Sequence, residues 1–247
     1  MNLLLVERTE LSSDGTVRLA DRRADHLRGV LGAVVGAQIR AGVVGGGVGT
    51  AEVIADDGAA YVLRLAVGDA AVAALPIELV LAIPRPKVLT RVIEAAASFG
   101  VAQIALTNAW RVDKSYLSSP RLAPDALALA ARLGMEQGAT THQPAIEVHR
   151  RLMALLDARW PVERAASPGV RLLAHPGAPP IEAAVTASSG AITLAIGPEG
   201  GWIERELDTF LARGFVPVSI GAPILRVETA VAAALGQLLL LRRLTPA

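Results

Sequence analysis

The feature that most constrains the fold is a change of texture at Leu75-Pro76. Beyond it, short apolar segments alternate with stretches of helical spacing. Ile77–Ile83 is apolar apart from Glu78, as expected of a strand covered on both faces. Lys87–Phe99 carries Val88, Val92, Ile93 and Ala96 at helical spacing and is followed by Gly100, a residue suited to a helix C-cap. Val101–Leu106 reads as a second buried strand and Pro124–Glu136 as a helix. Leu172–Ala174, Ile192–Ile196 and Phe215–Ser219 are further short strands, and Glu204–Ala212 and Thr229–Leu241 are helices. Strands that alternate with helices predict a parallel α/β sheet. Residues 159–169, which include Pro161, Pro168 and Gly169, read as a surface loop.

The first 70 residues differ. Leu3–Val6, Val17–Leu19, Gln38–Val44, Gly49–Ile54 and Tyr61–Val67 are short, rich in Val and Ile and partly alternating, as strands of a small β-barrel would be. Gly45-Gly46-Gly47 fits a hairpin connection, where positive φ costs glycine little. One short helix interrupts, starting near Arg23 or Asp25, with Leu27, Val30 and Leu31 expected on one face. The domain boundary is expected at 72/73, giving units 1–72 and 73–247.

Composition narrows the function classes. Hydrophobic residues make up 52% of the 247, which excludes a disordered chain. Aromatics make up 3%, so stacking on aromatic platforms is not expected to be the main means of holding a nucleic acid. Cysteine is absent, which rules out disulfides and thiolate chemistry and fits a reducing, cytoplasmic setting. No apolar run reaches the roughly 20 residues that a membrane span needs. The four histidines (26, 142, 149, 175) show no metal-ligand spacing, so no metal is expected. The net charge of +1 does not by itself announce a nucleic-acid binder, but both lysines, Lys87 and Lys114, fall after residue 75.

Two loops carry the chemistry. Ile196-Gly197-Pro198-Glu199-Gly200-Gly201-Trp202 follows a buried strand and precedes a helix. Adjacent glycines there let backbone approach a ligand closely, and ligands of open α/β sheets sit at the carboxyl ends of strands. Ile220-Gly221-Ala222-Pro223-Ile224-Leu225-Arg226-Val227-Glu228-Thr229-Ala230 leads from a strand into an apolar helix and places Arg226 and Glu228 at its mouth. Glu228 or Thr229 could instead simply cap that helix. No Gly-x-Gly-x-x-Gly fingerprint is present, which disfavours a nicotinamide dehydrogenase.

The phrase Ile196–Gly201, followed by Leu225-Arg226-x-Glu228-Thr229-Ala230, resembles the RsmE family of 16S ribosomal RNA uridine-N3 methyltransferases. Ala24–Leu31, Ala82–Lys87, Glu136-Gln137-Gly138 with Pro144, and Ala174-His175-Pro176 match further landmarks of that family in the same order. The resemblance implies a PUA-like β-barrel followed by a SPOUT domain with a trefoil knot, acting as a homodimer on 16S ribosomal RNA or the small ribosomal subunit. It implies S-adenosyl-L-methionine held by Ala174, His175, Pro176, Ile196, Gly197, Pro198, Glu199, Gly200, Gly201, Ile220, Gly221, Leu225, Thr229 and Ala230.

Loss of the N3 proton of uridine calls for a base or a cation that stabilises the uracil anion. Arg226 is the candidate for that stabilisation and Glu228 the candidate base or orienter. Glu199 could orient the substrate, but a carboxylate in a tight loop more often braces backbone N–H groups. His26, Arg28, Arg85, Lys87, Arg111 and Lys114 are the candidate RNA contacts, against the plainer reading of solvated surface charge or, for His26, barrel packing.

The sequence departs from the family at Gly32, at Gly138-Ala139-Thr140, at Ala222-Pro223 and at Asn108-Ala109-Trp110-Arg111. Each departure removes a basic group. They keep open a knotted methyltransferase acting on another RNA site and, in a different class, a catalytically silent RNA-binding protein.

Overall fold

The strands divide between two sheets, and the division falls at the change of texture. The computed structural model describes residues 1–166, 169–185 and 190–244. The first sheet holds β1 (Leu4–Val6), β2 (Thr16–Leu19), β3 (Gln38–Val43), β4 (Val48–Asp56) and β5 (Tyr61–Val67) in the order β1-β3-β4-β5-β2. The β1–β3 pair is parallel and the others are antiparallel. A register shift between Val53 and Ala55 helps the sheet curl. β1 and β2 stay at opposite edges, so the expected barrel is a half-barrel rather than a ring closed by hydrogen bonds. The triple glycine does connect β3 to β4.

The interrupting helix α1 (Arg22–Gly29) starts from Asp21, whose side chain accepts the Arg23 N–H. The apolar face expected for it is corrected in part. Leu27 is buried with Ala24, but the helix stops at Gly29, and Val30 and Leu31 stand exposed beyond it. Arg23 takes the place of an apolar residue in the packed face. Its guanidinium bonds Glu10, Asp21 and the Leu5 carbonyl. Burial alone would favour losing its charge, but the two carboxylates outweigh that and hold it charged.

The second sheet is parallel throughout, in the order β11-β9-β10-β6-β7-β8. Its strands are β6 (Leu75–Ala82), β7 (Val101–Thr107), β8 (Ala145–His149), β9 (Val170–Ala174), β10 (Ile192–Ile196) and β11 (Val216–Val218). The connecting helices are α2 (Pro86–Ser98), α3 (Pro124–Gly138), α4 (Leu152–Arg159), α5 (Glu204–Leu211) and α6 (Val227–Leu244). Central strands β6 and β10 are buried nearly end to end. Glu78, the acid inside β6, is paired with Arg159 of α4, which also reaches Glu147 of β8. Burial raises the Glu78 carboxyl above its ordinary range, and Arg159 only partly offsets this.

β8 and α4 are not among the elements expected from the residue pattern. The loop expected over 159–169 is also shorter than anticipated. α4 runs to Arg159, Trp160 is buried, and Ser167 and Pro168 lie outside the described residues. α2 and α3 pack at backbone distance. A Cβ on Gly134 or Gly138 would sit 2.1 Å from the carbonyl oxygens of Glu94 and Ser98, respectively.

The two sheets share β1. Its period-two alternation sends Leu4 and Val6 into the half-barrel core and Leu3 and Leu5 into the core of the parallel sheet. A polar seam reinforces this join. The N–H groups of Asn2 and Leu3 donate to the Glu136 carbonyl at 3.0 Å, and Arg22 forks onto the buried Glu136 carboxylate. That bond holds the Arg22 guanidinium above its ordinary pKa. The buried Thr141 donates its hydroxyl to the Gly46 carbonyl at 2.5 Å. Glu136-Gln137-Gly138 therefore belongs to the junction between the sheets.

Ala139 ends α3 in the left-handed region, at φ 52° and ψ 40°. An alanine pays a steric penalty there that glycine does not. Ala139→Gly is expected to stabilise the protein by about 0.5–1 kcal/mol in urea denaturation, less whatever the lost methyl contributes to packing. Destabilisation would show that the methyl outweighs the backbone strain.

Candidate active site

A parallel sheet brings the carboxyl ends of all its strands to one edge. The register sets Val218, Ala174, Ile196 and Leu81 at nearly one level across β11, β9, β10 and β6. The segments that follow these strands are those singled out from the sequence: His175-Pro176 after β9, Gly197–Trp202 after β10, and Ile220–Arg226 after β11. Arg85 and Lys87 follow β6, and Arg111 and Lys114 follow β7, at the same edge.

Hydrogen bonds lace these segments together. The His175 N–H donates to the Val218 carbonyl at 2.9 Å, joining the β9 and β11 ends. The Gln237 side-chain amide, from α6, donates to the Ile220 carbonyl at 2.7 Å. Glu199 accepts the Arg85 N–H at 3.1 Å, tying the β10 loop to the start of α2, and its carboxylate lies 3.9 Å from Arg85 Nε. Arg111 donates to the Gly200 carbonyl at 2.5 Å. Glu206, in the first turn of α5, accepts the N–H of Ile203 at 3.0 Å and that of Trp110 at 2.8 Å.

The backbone of the β10 loop is built around its glycines. Gly197 lies against the buried indole of Trp202, which would stand 3.1–3.2 Å from an added Cβ. Gly201 has φ +71°, closing a turn in which its N–H donates to the Pro198 carbonyl at 2.8 Å. Gly200 would press an added Cβ only on the flexible side chain of Arg111. Two polar atoms beside the loops are buried without a partner among the described residues, Trp202 Nε1 and Gln237 Oε1.

Arg226 is exposed just before α6, and Glu228 is half-buried in its first turn. Neither side chain forms a hydrogen bond or ion pair with a described residue. As an acid in the first turn, Glu228 complements the helix dipole. Glu199 takes the brace role.

Of the candidate RNA contacts, Arg85, Lys87, Arg111 and Lys114 meet at the loop edge, all exposed. His26 and Arg28 belong to α1 on the half-barrel. Arg28 is engaged there by Asp56 at 3.0 Å and by the Tyr61 ring at 5.0 Å from its centroid. A groove of about 480 Å³ lined by Leu117, Leu127, Ile146 and Val148 follows edge strand β8 and includes none of the loop residues. No cluster of acidic or histidine side chains suited to a metal occurs among the described residues.

Sequence reasoning missed Gln237, Glu206 and the role of Trp202. Gln237 had left a signal, as the one polar residue between Thr229 and Arg242 in an otherwise apolar helix.

The model of the RNA methyltransferase domain family matches residues 72–239. This chain belongs to that family. The matched stretch begins where the parallel sheet begins and carries every loop of the laced edge. Ribosomal RNA small subunit methyltransferase E of Treponema pallidum is 29% identical over 238 residues, covering 95% of this chain and 89% of that protein. A crystal structure of the methyltransferase of the same name from Neisseria gonorrhoeae, bound to S-adenosyl methionine, matches with a TM-score of 0.79 at 25% identity over 98% of each chain. A Porphyromonas gingivalis structure shares the fold over the whole of both chains, with a TM-score of 0.78 at 22% identity. The RsmE resemblance read from the motifs is thereby borne out along the whole chain.

The brace role of Glu199 is testable by substitution. Glu199→Gln keeps an oxygen acceptor for the Arg85 N–H and is expected to unfold within about 0.5 kcal/mol of wild type, whereas Glu199→Ala loses about 1–2 kcal/mol in urea titrations. Equal stabilities for the two variants would remove the brace.

Proposed function

We propose that this RNA methyltransferase transfers a methyl group from S-adenosyl-L-methionine to N3 of a uridine in 16S ribosomal RNA. In this reading residues 73–247 form a SPOUT domain whose C-terminal loops are knotted, residues 1–72 form a PUA-like RNA-binding module, and the protein works in the cytoplasm as a homodimer. The observation that carries it is the coincidence of three loops at one sheet edge, in a chain similar along its length to named small-subunit methyltransferases.

The residues present suit the cofactor. Small residues at 174, 197, 200, 201 and 221 leave backbone accessible, and the orphan atoms Trp202 Nε1 and Gln237 Oε1 mark polar capacity beside the loops that no described residue satisfies. Ala174, His175 and Pro176, Ile196 to Gly201, Ile220, Gly221 and Leu225, with Thr229 and Ala230 at the start of α6, would hold it. When bound, it supplies an electrophilic methyl on a sulfonium.

The chain's own residues do the rest. Arg226, exposed and without an ion pair among the described residues, is available to stabilise the uracil oxygens as the N3 proton leaves. Glu228, two residues further on in the first turn of α6, accepts or orients that proton. Arg85, Lys87, Arg111 and Lys114 bring phosphate-binding charge to the same edge, while His26 and Arg28 contribute from the half-barrel.

The direct test incubates the purified protein with labelled S-adenosylmethionine and with either free 16S ribosomal RNA or small subunits, and then maps the modified base. N3-methyluridine is the expected product. Arg226→Ala should lower kcat by roughly 100-fold or more while binding S-adenosylmethionine as wild type in calorimetry, because it removes a transition-state contact only. A methyl on a ribose oxygen or on transfer RNA would replace the substrate assignment. Cofactor binding without transfer to any RNA would favour the silent RNA-binding reading.

A further inference from the structure

The chain holds three Trp, two Tyr and three Phe, and seven of these eight rings are at least half-buried. Trp110 alone is exposed, at 78%. A large apolar ring left in water is uncommon enough to need an explanation.

The exposure is imposed by the backbone. Ala109 and Val112 are buried at 6% and 7%, and the Val112 N–H closes a turn onto the Ala109 carbonyl at 3.1 Å. The Trp110 N–H is held by Glu206. The turn is thus anchored at both ends and at its centre, and the indole is directed outward.

The surroundings specify the partner. The next residue, Arg111, bonds the Gly200 carbonyl of the β10 loop, so the indole stands beside the candidate active site. Lys114, Arg85 and Lys87 are exposed at the same edge. An aromatic face set among cations beside a site suits a nucleobase flanked by phosphates. Ala109 and Trp110 also lie in the segment where the sequence departs from the RsmE pattern and loses a basic group. A stacking contact there would supply affinity by a route that salt does not screen.

We infer that Trp110 is a stacking platform for an unpaired base of the RNA substrate, next to the nucleotide presented to the loops. The inference rests on the RNA methyltransferase reading above and adds to it that the substrate is single-stranded at that point.

The test measures binding of poly(A) and poly(U) to the full chain by tryptophan emission, over a range of salt concentrations. Trp160 and Trp202 are buried, so the solvent-exposed emission belongs to Trp110. RNA is expected to quench it and to shield it from iodide. Trp110→Ala should weaken binding by about tenfold or more with the slope of log affinity against log salt unchanged, and Trp110→Phe should restore most of the loss. Lys87→Gln should do the opposite and lower that slope by about one. In the methylation assay, Trp110→Ala should raise KM for RNA and spare kcat. Unaltered RNA affinity in Trp110→Ala, with wild type active, would overturn the stacking role and leave the enzyme reading intact. A change of sedimentation in Trp110→Ala would overturn it in favour of contact with a second copy of the chain. Absence of binding of either homopolymer by a wild type that methylates ribosomal RNA would overturn the stacking role and leave the enzyme reading intact.

Discussion

The site depends on one geometric constraint, the parallel alignment of β11, β9, β10, β6 and β7. Parallel pairing requires every connection to return across the sheet, so all carboxyl ends gather at one edge. Five segments distant in sequence are thereby brought together there. Alignment alone would leave them as independent loops. The bonds from Glu199, Glu206, Arg111 and Gln237 convert them into one laced surface, each with a side chain from one segment satisfying backbone of another. Arranged this way, the edge keeps its polar side-chain charge largely outward and offers backbone to a ligand.

The second dependence runs through β1. The four residues Leu3–Val6 divide their side chains between two cores, so the half-barrel cannot separate from the parallel sheet without uncovering Leu3 and Leu5 or Leu4 and Val6. The seam at Glu136–Thr141 adds directional bonds to that apolar join. The cationic groups on α1 are accordingly carried on a body fixed to the one that holds the loops.

Much of this was legible in the sequence because burial leaves a pattern. β6, β7 and β10 lie inside the sheet and read as apolar runs, and α2 shows its packed face at helical spacing. β8 was not legible, since it is the sheet edge. Ala145–His149 is mostly exposed and carries Glu147 and His149, so no apolar run marks it. α4 is short, and Arg150-Arg151 before it resemble a loop. Val30 and Leu31 misled because a continued helical period was assumed past Gly29, where the chain leaves the helix. At the site, the glycines and charges of the two loops announced themselves. Their braces did not, because a bond such as Glu206 to Trp110 links residues 96 apart and only the folded topology pairs them.

The central claim is that the loops after β9, β10 and β11 form one cofactor site. Amide hydrogen exchange with and without S-adenosylmethionine tests it most directly. The account predicts slowed exchange together in residues 174–178, 196–203 and 219–226, at one common ligand concentration, with the half-barrel strands unchanged. Protection confined to a single loop, or centred on the groove along β8, would contradict it.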